Sequence, residues 1–343
     1  DYLAGPNHTL PTSGTARYSS PLGVDDFSRR SSYIYYTREA LEDVAEDVMR
    51  FAQSEGLGAH ANAVRVRVGV KAACPRFWRR HARRGGDLMS GFLAAGLQCL
   101  KPYVPGEQPQ DRSYVKLNTN ESPYPPSTRV LDALDREQAA RLNLYSDPTA
   151  LPLRRAIARE YGLKSENVFT SNGSDETLGF AFLAFADANR PVTMPDITYG
   201  FYRVFARLFQ VGTNVIALNG DFTLPVEKFC GVNTTVVLAN PNAPTGIALP
   251  LCDIERIVAG NPENVVLVDE AYVDFGGESA LPLLAGYPNL LIVRTFSKSR
   301  SLAGARLGYA LGSAELISDL DRVRNSFHPY SINRLSMLAG LEA

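Results

Sequence analysis

An α/β fold with a mostly parallel sheet and helices on both faces is predicted for the C-terminal part of this 343-residue chain. Three features predict it. Short apolar, β-branched runs recur at 167–170, 191–194, 213–218, 234–239, 264–268 and 290–294. Most are continuous rather than alternating, as in strands covered on both faces. Between several of them lie helical patterns with turn signals at their ends, such as 175–188 and 251–259. Strand then helix, repeated, implies parallel pairing through right-handed crossovers.

Composition supports a full globular core, with 45% hydrophobic and 21% charged residues, and the length allows two or three domains. Lys plus Arg (35) nearly cancels Asp plus Glu (36), so no global field points to nucleic acid or to an anionic membrane. A small-molecule partner is expected instead. Cys74, Cys99, Cys230 and Cys252 lie far apart, without zinc-site spacing or disulfide density, which fits a reducing cytoplasm. No apolar run approaches the roughly 18 residues of a membrane span, and no signal segment opens the sequence.

Residues 1–36 are turn-rich, and Thr37 opens a helical pattern. Leu41, Val44, Ala45, Val48 and Ala52 share one face, Glu42, Asp43, Glu46 and Asp47 take the other, and Gly56 ends it. Alternation from Val64 to Val68 reads as an edge strand. Residues 69–88 follow without periodicity and are strongly basic, and Phe77 and Trp78 could stack on bases. A solvated linker is the preferred reading, and no nucleic-acid partner is expected.

Ligands of open α/β sheets sit beyond the carboxyl ends of the strands. There the 234–239 strand runs into Asn240, Pro241 and Asn242; the 264–268 strand into Asp269, Glu270, Ala271 and Tyr272; and the 290–294 strand into Thr295, Phe296, Ser297 and Lys298. Each side chain alone suits a structural role: Asp269 as a cap, Asn242 as a turn former, Tyr272 as a core aromatic, Lys298 as a surface charge. Together, an acid, an amide, a phenol and an amine at one sheet edge form a candidate site. A carboxylate directly after an apolar strand is costly to bury without a cationic partner.

KLNTNESPYPPS, NLYSDP, NPNAPTG, VDEAYVDF and TFSKSRSLAGARLG resemble, in content and order, motifs of the fold type I pyridoxal-phosphate-dependent aminotransferases, and within them the histidinol-phosphate aminotransferase family, over 89–343. The resemblance implies an N-terminal arm (89–115), a cofactor-binding large domain (116–330) and the start of a truncated small domain (331–343). The cofactor it implies is pyridoxal 5'-phosphate. Lys298 would bond the cofactor aldehyde and shuttle a proton, Asp269 would pair with the ring nitrogen, and Tyr272 and Asn242 would hydrogen-bond the ring's phenolic oxygen. Tyr199 would stack on the ring. Gly173, Ser174 and Asp175 would present backbone N–H groups to the phosphate at a helix start, with Ser297 and Arg306 completing that site. Tyr145 would reach the phosphate of a neighbouring subunit, implying a homodimer, and Tyr124 would reach substrate. The implied reaction moves an amino group between glutamate/2-oxoglutarate and histidinol phosphate/imidazole-acetol phosphate in histidine biosynthesis, in the cytoplasm. A phospho-amino-acid decarboxylase of the same fold is the alternative, and carbon dioxide trapping separates the two.

DYLAGPNHTLPTSGTARYSSPLGVDDF and EGLGAHANAVRVRV resemble the C-terminal end of the zinc- and NAD-dependent histidinol dehydrogenases, over 1–68. The resemblance makes Asp1 and His60 zinc ligands, with His8 and Glu55 at the substrate or acting on protons. Two ligands cannot close a tetrahedral site, so no metal is expected here. The chain reads as two incomplete enzymes of one pathway, a read-through or fragment rather than a single enzyme, although a fusion stays open. In the aminotransferase family the arginine for the substrate's anionic groups falls beyond the last residue, Ala343.

Overall fold

The computed structural model describes residues 92–98, 100–103 and 117–343. The helical pattern from Thr37, the strand at 64–68, the basic stretch 69–88 and Asp1, His8, Glu55 and His60 lie outside the described residues. The chain divides into two compact units, Asp1–Leu93 with Val104–Thr119, and Ala94–Tyr103 with Asn120–Ala343. The second carries the sheet.

Its strands are β1 (Val168–Ser171), β2 (Val192–Pro195), β3 (Thr213–Ile216), β4 (Thr235–Ala239), β5 (Val266–Asp269), β6 (Leu290–Thr295) and β7 (Gly308–Gly312). They lie in the order β1-β7-β6-β5-β4-β2-β3. The β2–β3, β2–β4, β4–β5 and β5–β6 pairs are parallel, as the strand–helix repetition predicts. β7 was not foreseen, and it runs antiparallel to both β6 and β1. Its sequence, GYALG, is short and bounded by glycines, so it reads as turn rather than as the buried strand it is.

Alternation along each strand divides the core into two layers. Val236 and Leu238, Val266 and Val268, and Leu290 and Ile292 face one layer. There they join Leu153 and Ile157 of α3 (Leu151–Glu160) and Ile254 and Ile257 of α6 (Leu251–Ala259). Val237, Leu267, Leu291 and Val293 face the other. That layer holds Leu178 and Phe182 of α4 (Ser174–Phe185), Tyr202 and Phe205 of α5 (Phe201–Leu208), and Ile317 and Leu320 of α7 (Ala314–Phe327). A strand buried on both faces needs apolar residues on both sides, which is the pattern seen at Val236–Leu238 of β4, Val266–Val268 of β5 and Leu290–Val293 of β6. β3 departs from it: at the sheet edge, Thr213, Asn214 and Val215 are exposed.

Short helices α1 (Thr128–Ala133) and α2 (Arg136–Ala139) precede the sheet, and α8 (Arg334–Glu342) packs on α1 and α3. Ser127, Asp135, Ser313 and Asn333 cap α1, α2, α7 and α8 with their side chains. Among the described residues, no helix is long and apolar enough to cross a membrane.

The close approach of β7 to the start of α4 fixes the geometry of the sheet edge. A Cβ at Gly308 would collide with the backbone of Gly173 and Ser174. Gly308→Ala is therefore expected to destabilise the fold by about 1–3 kcal/mol, measured by denaturant unfolding, because neither backbone can retreat.

Candidate active site

Asp269 ends β5 with 5% of its surface exposed. Strand alternation turns it to the same layer as Leu267, and there Tyr202 of α5 donates its hydroxyl to Oδ2 at 2.8 Å. The Ala271 backbone N–H donates to Oδ1 at 3.2 Å. Among the described residues no cation pairs with Asp269. Burial pushes its carboxyl up to about 6, opposed by the Tyr202 and Ala271 bonds and reinforced by Asp175 and Glu270.

The next residue takes the cation instead. Glu270 falls to the opposite layer, where it receives Arg294 Nε at 2.9 Å and Nη2 at 2.8 Å. Ser279 Oγ and the Ala280 N–H also donate to it. Arg294 donates to Tyr161 OH at 3.1 Å, and Tyr161 and Tyr309 share a hydroxyl bond of 2.6 Å. Burial works against the charge on Arg294, and the Glu270 carboxylate together with Tyr309 and Tyr161 outweighs it, leaving the guanidinium above its ordinary value. The cationic partner predicted for the acidic strand end thus serves Glu270 and leaves Asp269 uncompensated.

Lys298 follows β6, and its Nζ donates to the Asn120 carbonyl at 3.2 Å. The same asparagine donates Nδ2 to Tyr272 OH at 2.9 Å, and the Lys298 amine lies 5.6 Å from the Tyr272 ring centre. Asn120 adopts a left-handed backbone, φ 50°, which asparagine tolerates. Burial pulls the Lys298 ammonium below the usual lysine value; Arg306 acts the same way, and Asp175 and Glu121 oppose it. An amine of lowered basicity is more readily a nucleophile.

The start of α4 forms the next wall. Gly173 sits before it at φ 87°, and a Cβ there would lie 2.6 Å from Arg306 Nη2, so only glycine lets the guanidinium approach. Arg306 reaches Asp175 Oδ2 at 3.4 Å, and Tyr199 donates to Asp175 Oδ1 at 3.0 Å. The first N–H groups of a helix have no intrahelical acceptors, so Ser174 and Asp175 present donors and a positive dipole end beside a cation. Burial, then the Asp175 charge, raise the Tyr199 phenol well above its usual range. Ser297 is buried, and its N–H donates to Thr295 Oγ1 at 3.1 Å.

Asn242 donates Nδ2 to the Ile197 carbonyl and to Thr245 Oγ1, both at 3.0 Å. Its Oδ1 is buried without a hydrogen-bond partner, an orphan acceptor beside β4. Tyr145 stands apart, 80% exposed and stacked on Tyr330 at 4.5 Å; Tyr124 is 75% exposed. Among the described residues, no group of three or more His, Cys, Asp or Glu is arranged to hold a metal ion.

Residues 112–338 match the family Aminotransferase class I and II. The chain belongs to the class I and II aminotransferases. It is 51% identical to a histidinol-phosphate aminotransferase of Marinomonas sp. over 256 residues, which span 74% of this chain and 72% of that protein. A histidinol-phosphate aminotransferase of Clostridium acetobutylicum is 50% identical over 255 residues, 74% of this chain and 72% of its own. Among solved structures, histidinol-phosphate aminotransferase from Sinorhizobium meliloti in complex with pyridoxal-5'-phosphate superposes with a TM-score of 0.60 at 27% identity, over 65% of this chain and 62% of that one. Residues 1–68 match the family Histidinol dehydrogenase.

Within this aminotransferase, sequence reasoning passed over Tyr202, Asn120 and the Arg294–Glu270 pair. Arginine closing the apolar run LLIVR carried a signal, since a charge in a buried strand demands a partner. Tyr202 lies three residues after Tyr199, a spacing that brings both rings to one side of a helix start. Asn120, in the polar stretch NTNES, carried no signal, because only the tertiary fold brings it to Lys298 and Tyr272.

The raised Asp269 carboxyl has a consequence for stability. Its folded value lies above the unfolded one, so between roughly pH 4 and pH 6 the folded protein holds the proton more tightly, and stability falls as pH rises through that window. Without added ligand, Asp269→Asn is expected to be more stable than the parent at pH 7 by up to about 3 kcal/mol, with the gap closing near pH 4. Denaturant unfolding at the two pH values measures it.

Proposed function

We propose that this chain is a pyridoxal-phosphate-dependent aminotransferase that moves an amino group between glutamate and imidazole-acetol phosphate, giving histidinol phosphate and 2-oxoglutarate. The observation that carries the cofactor is the contrast at the end of β5: of two adjacent buried carboxylates, Glu270 has its arginine and Asp269 has no cation among the described residues. A protonated ring nitrogen is the charge that Asp269 lacks. The other fittings are the anion-facing start of α4 with Arg306 drawn over Gly173 and a Lys298 amine of lowered basicity. The substrate reading rests on relatives of about 50% identity that are histidinol-phosphate aminotransferases.

Pyridoxal phosphate, when bound, supplies an aldehyde that takes up the amino group and a conjugated ring that spreads the negative charge developed at the substrate α-carbon. The protein's residues do the rest. Lys298 Nζ would hold the cofactor through its aldehyde and would serve as the base for the proton at the substrate α-carbon; its lowered basicity keeps a larger fraction free to do so. Asp269, oriented by Tyr202 and Ala271, would hold the ring-nitrogen proton by a charge-assisted bond. Tyr272 and Asn242 would stand on the phenolic side of the cofactor, and Tyr199 would pack against it. Gly173, Ser174, Asp175, Ser297 and Arg306 would hold the phosphate. Tyr145, exposed in one chain, serves the partner site of a homodimer, and the enzyme works in the cytoplasm.

Borohydride reduction of the chain loaded with pyridoxal phosphate is expected to fix the label on Lys298. Lys298→Ala should lose the label and lower transamination by at least about 10²–10⁴-fold. Peptide mapping and a coupled 2-oxoglutarate assay read these outcomes, and label on any other lysine overturns the assignment.

A further inference from the structure

We propose that Tyr202 is a positioning residue, holding Asp269 as an oriented, ionised carboxylate through its hydroxyl bond to Oδ2. The tyrosine lies on α5 with none of its surface exposed, in the apolar layer that contains Phe182, Phe205 and Leu178. Packing there asks only for an aromatic ring, and phenylalanine would supply it without bringing a hydroxyl into the core. A buried hydroxyl is retained at a cost unless it is bonded, and this one is bonded to Asp269 at 2.8 Å. The ring is held in turn by the edge-on Tyr199 ring at 5.5 Å and by the backbone bond from Tyr202 N–H to the Tyr199 carbonyl. Two rings with separate duties are thus joined: Tyr199 reaches Asp175 beside Arg306, and Tyr202 reaches Asp269.

The direction of the effect follows from the neighbours. Asp175 from α4 and Glu270 from the same strand end are both acidic and oppose a charge on Asp269, as does burial. Tyr202 and the Ala271 N–H are the donors that favour it. Tyr199, the other titratable group facing Asp269, is itself held neutral by burial and by Asp175. With Tyr202 gone, Oδ2 loses its donor, the proton prefers the carboxylate, and less of it remains for a ring nitrogen.

This inference deepens the reading above and rests on it for the identity of the ligand, so the test has a part that needs no ligand. Carbon-13 NMR of the full chain labelled at the aspartate carboxyls gives the protonation midpoint of Asp269, assigned with Asp269→Asn. In Tyr202→Phe the midpoint is expected to rise by about one pH unit, and the affinity for pyridoxal phosphate to fall about tenfold. Tyr161→Phe, which removes a partly buried hydroxyl bonded away from Asp269, should leave the midpoint in place. Where Tyr202→Phe fails to fold, 3-fluorotyrosine at position 202 keeps the shape and strengthens the donor, and the midpoint should then move down. A midpoint unmoved by either change overturns the role of Tyr202, whatever happens to the melting temperature. Failure of the unaltered chain to take up pyridoxal phosphate overturns the cofactor reading instead, and the ligand-free midpoint still decides for or against Tyr202.

Discussion

A carboxylate enclosed in the protein without a counter-charge among the described residues is the constraint around which this sheet edge is organised. Asp269 is nearly as inaccessible as the apolar residues of β5 that precede it, yet its partners are one phenol and one backbone amide. Such a group lowers the stability of a fold unless a ligand brings the missing charge. The arrangement is a local sacrifice of stability of the kind that binding sites carry, and the doubly covered sheet around it is large enough to bear it.

Strand alternation explains why the two neighbouring acids fare so differently. Asp269 follows the parity of Leu267 and enters the layer of α4 and α5, which offers hydroxyls. Glu270 follows the parity of Val268 and enters the other layer, where Arg294, in step with Ile292 on β6, is in register to receive it. One residue of offset decides which acid is neutralised and which is left to a ligand. The Glu270–Arg294–Tyr161–Tyr309 network also ties β5, β6 and β7 together beneath the site, fixing the strand ends that carry Asp269 and Lys298.

The start of α4 and the Lys298 amine are linked through Asp175. It receives Tyr199 and Arg306, and its charge bears on both Lys298 and Asp269. An acidic residue at a helix start also complements the helix dipole, so it has a structural reason to be there besides its place in the site. Glycine at 173 and at 308 lets this wall close: the first makes room for the guanidinium, the second for the backbone of the α4 start against β7.

Much of this was legible in the chain itself. Continuous apolar runs marked β4, β5 and β6 because strands covered on both faces show no alternation, and the residues that follow them gave Asn242, Asp269, Tyr272 and Lys298. The family followed from motif order, as the 112–338 match bears out. What failed to show had physical causes: β7 hid among glycines, and the place of β3 at the exposed sheet edge follows from strand order, which no local pattern carries. Asn120 is drawn to Lys298 across 178 residues of chain, a distance no local pattern spans. Sequence determined which chemical groups stand at the sheet edge, since strand ends are local. Which of them are paired, which hydroxyl meets Asp269 and which acid stays without a cation were decided by tertiary structure alone, because those outcomes depend on which helix face closes over which strand.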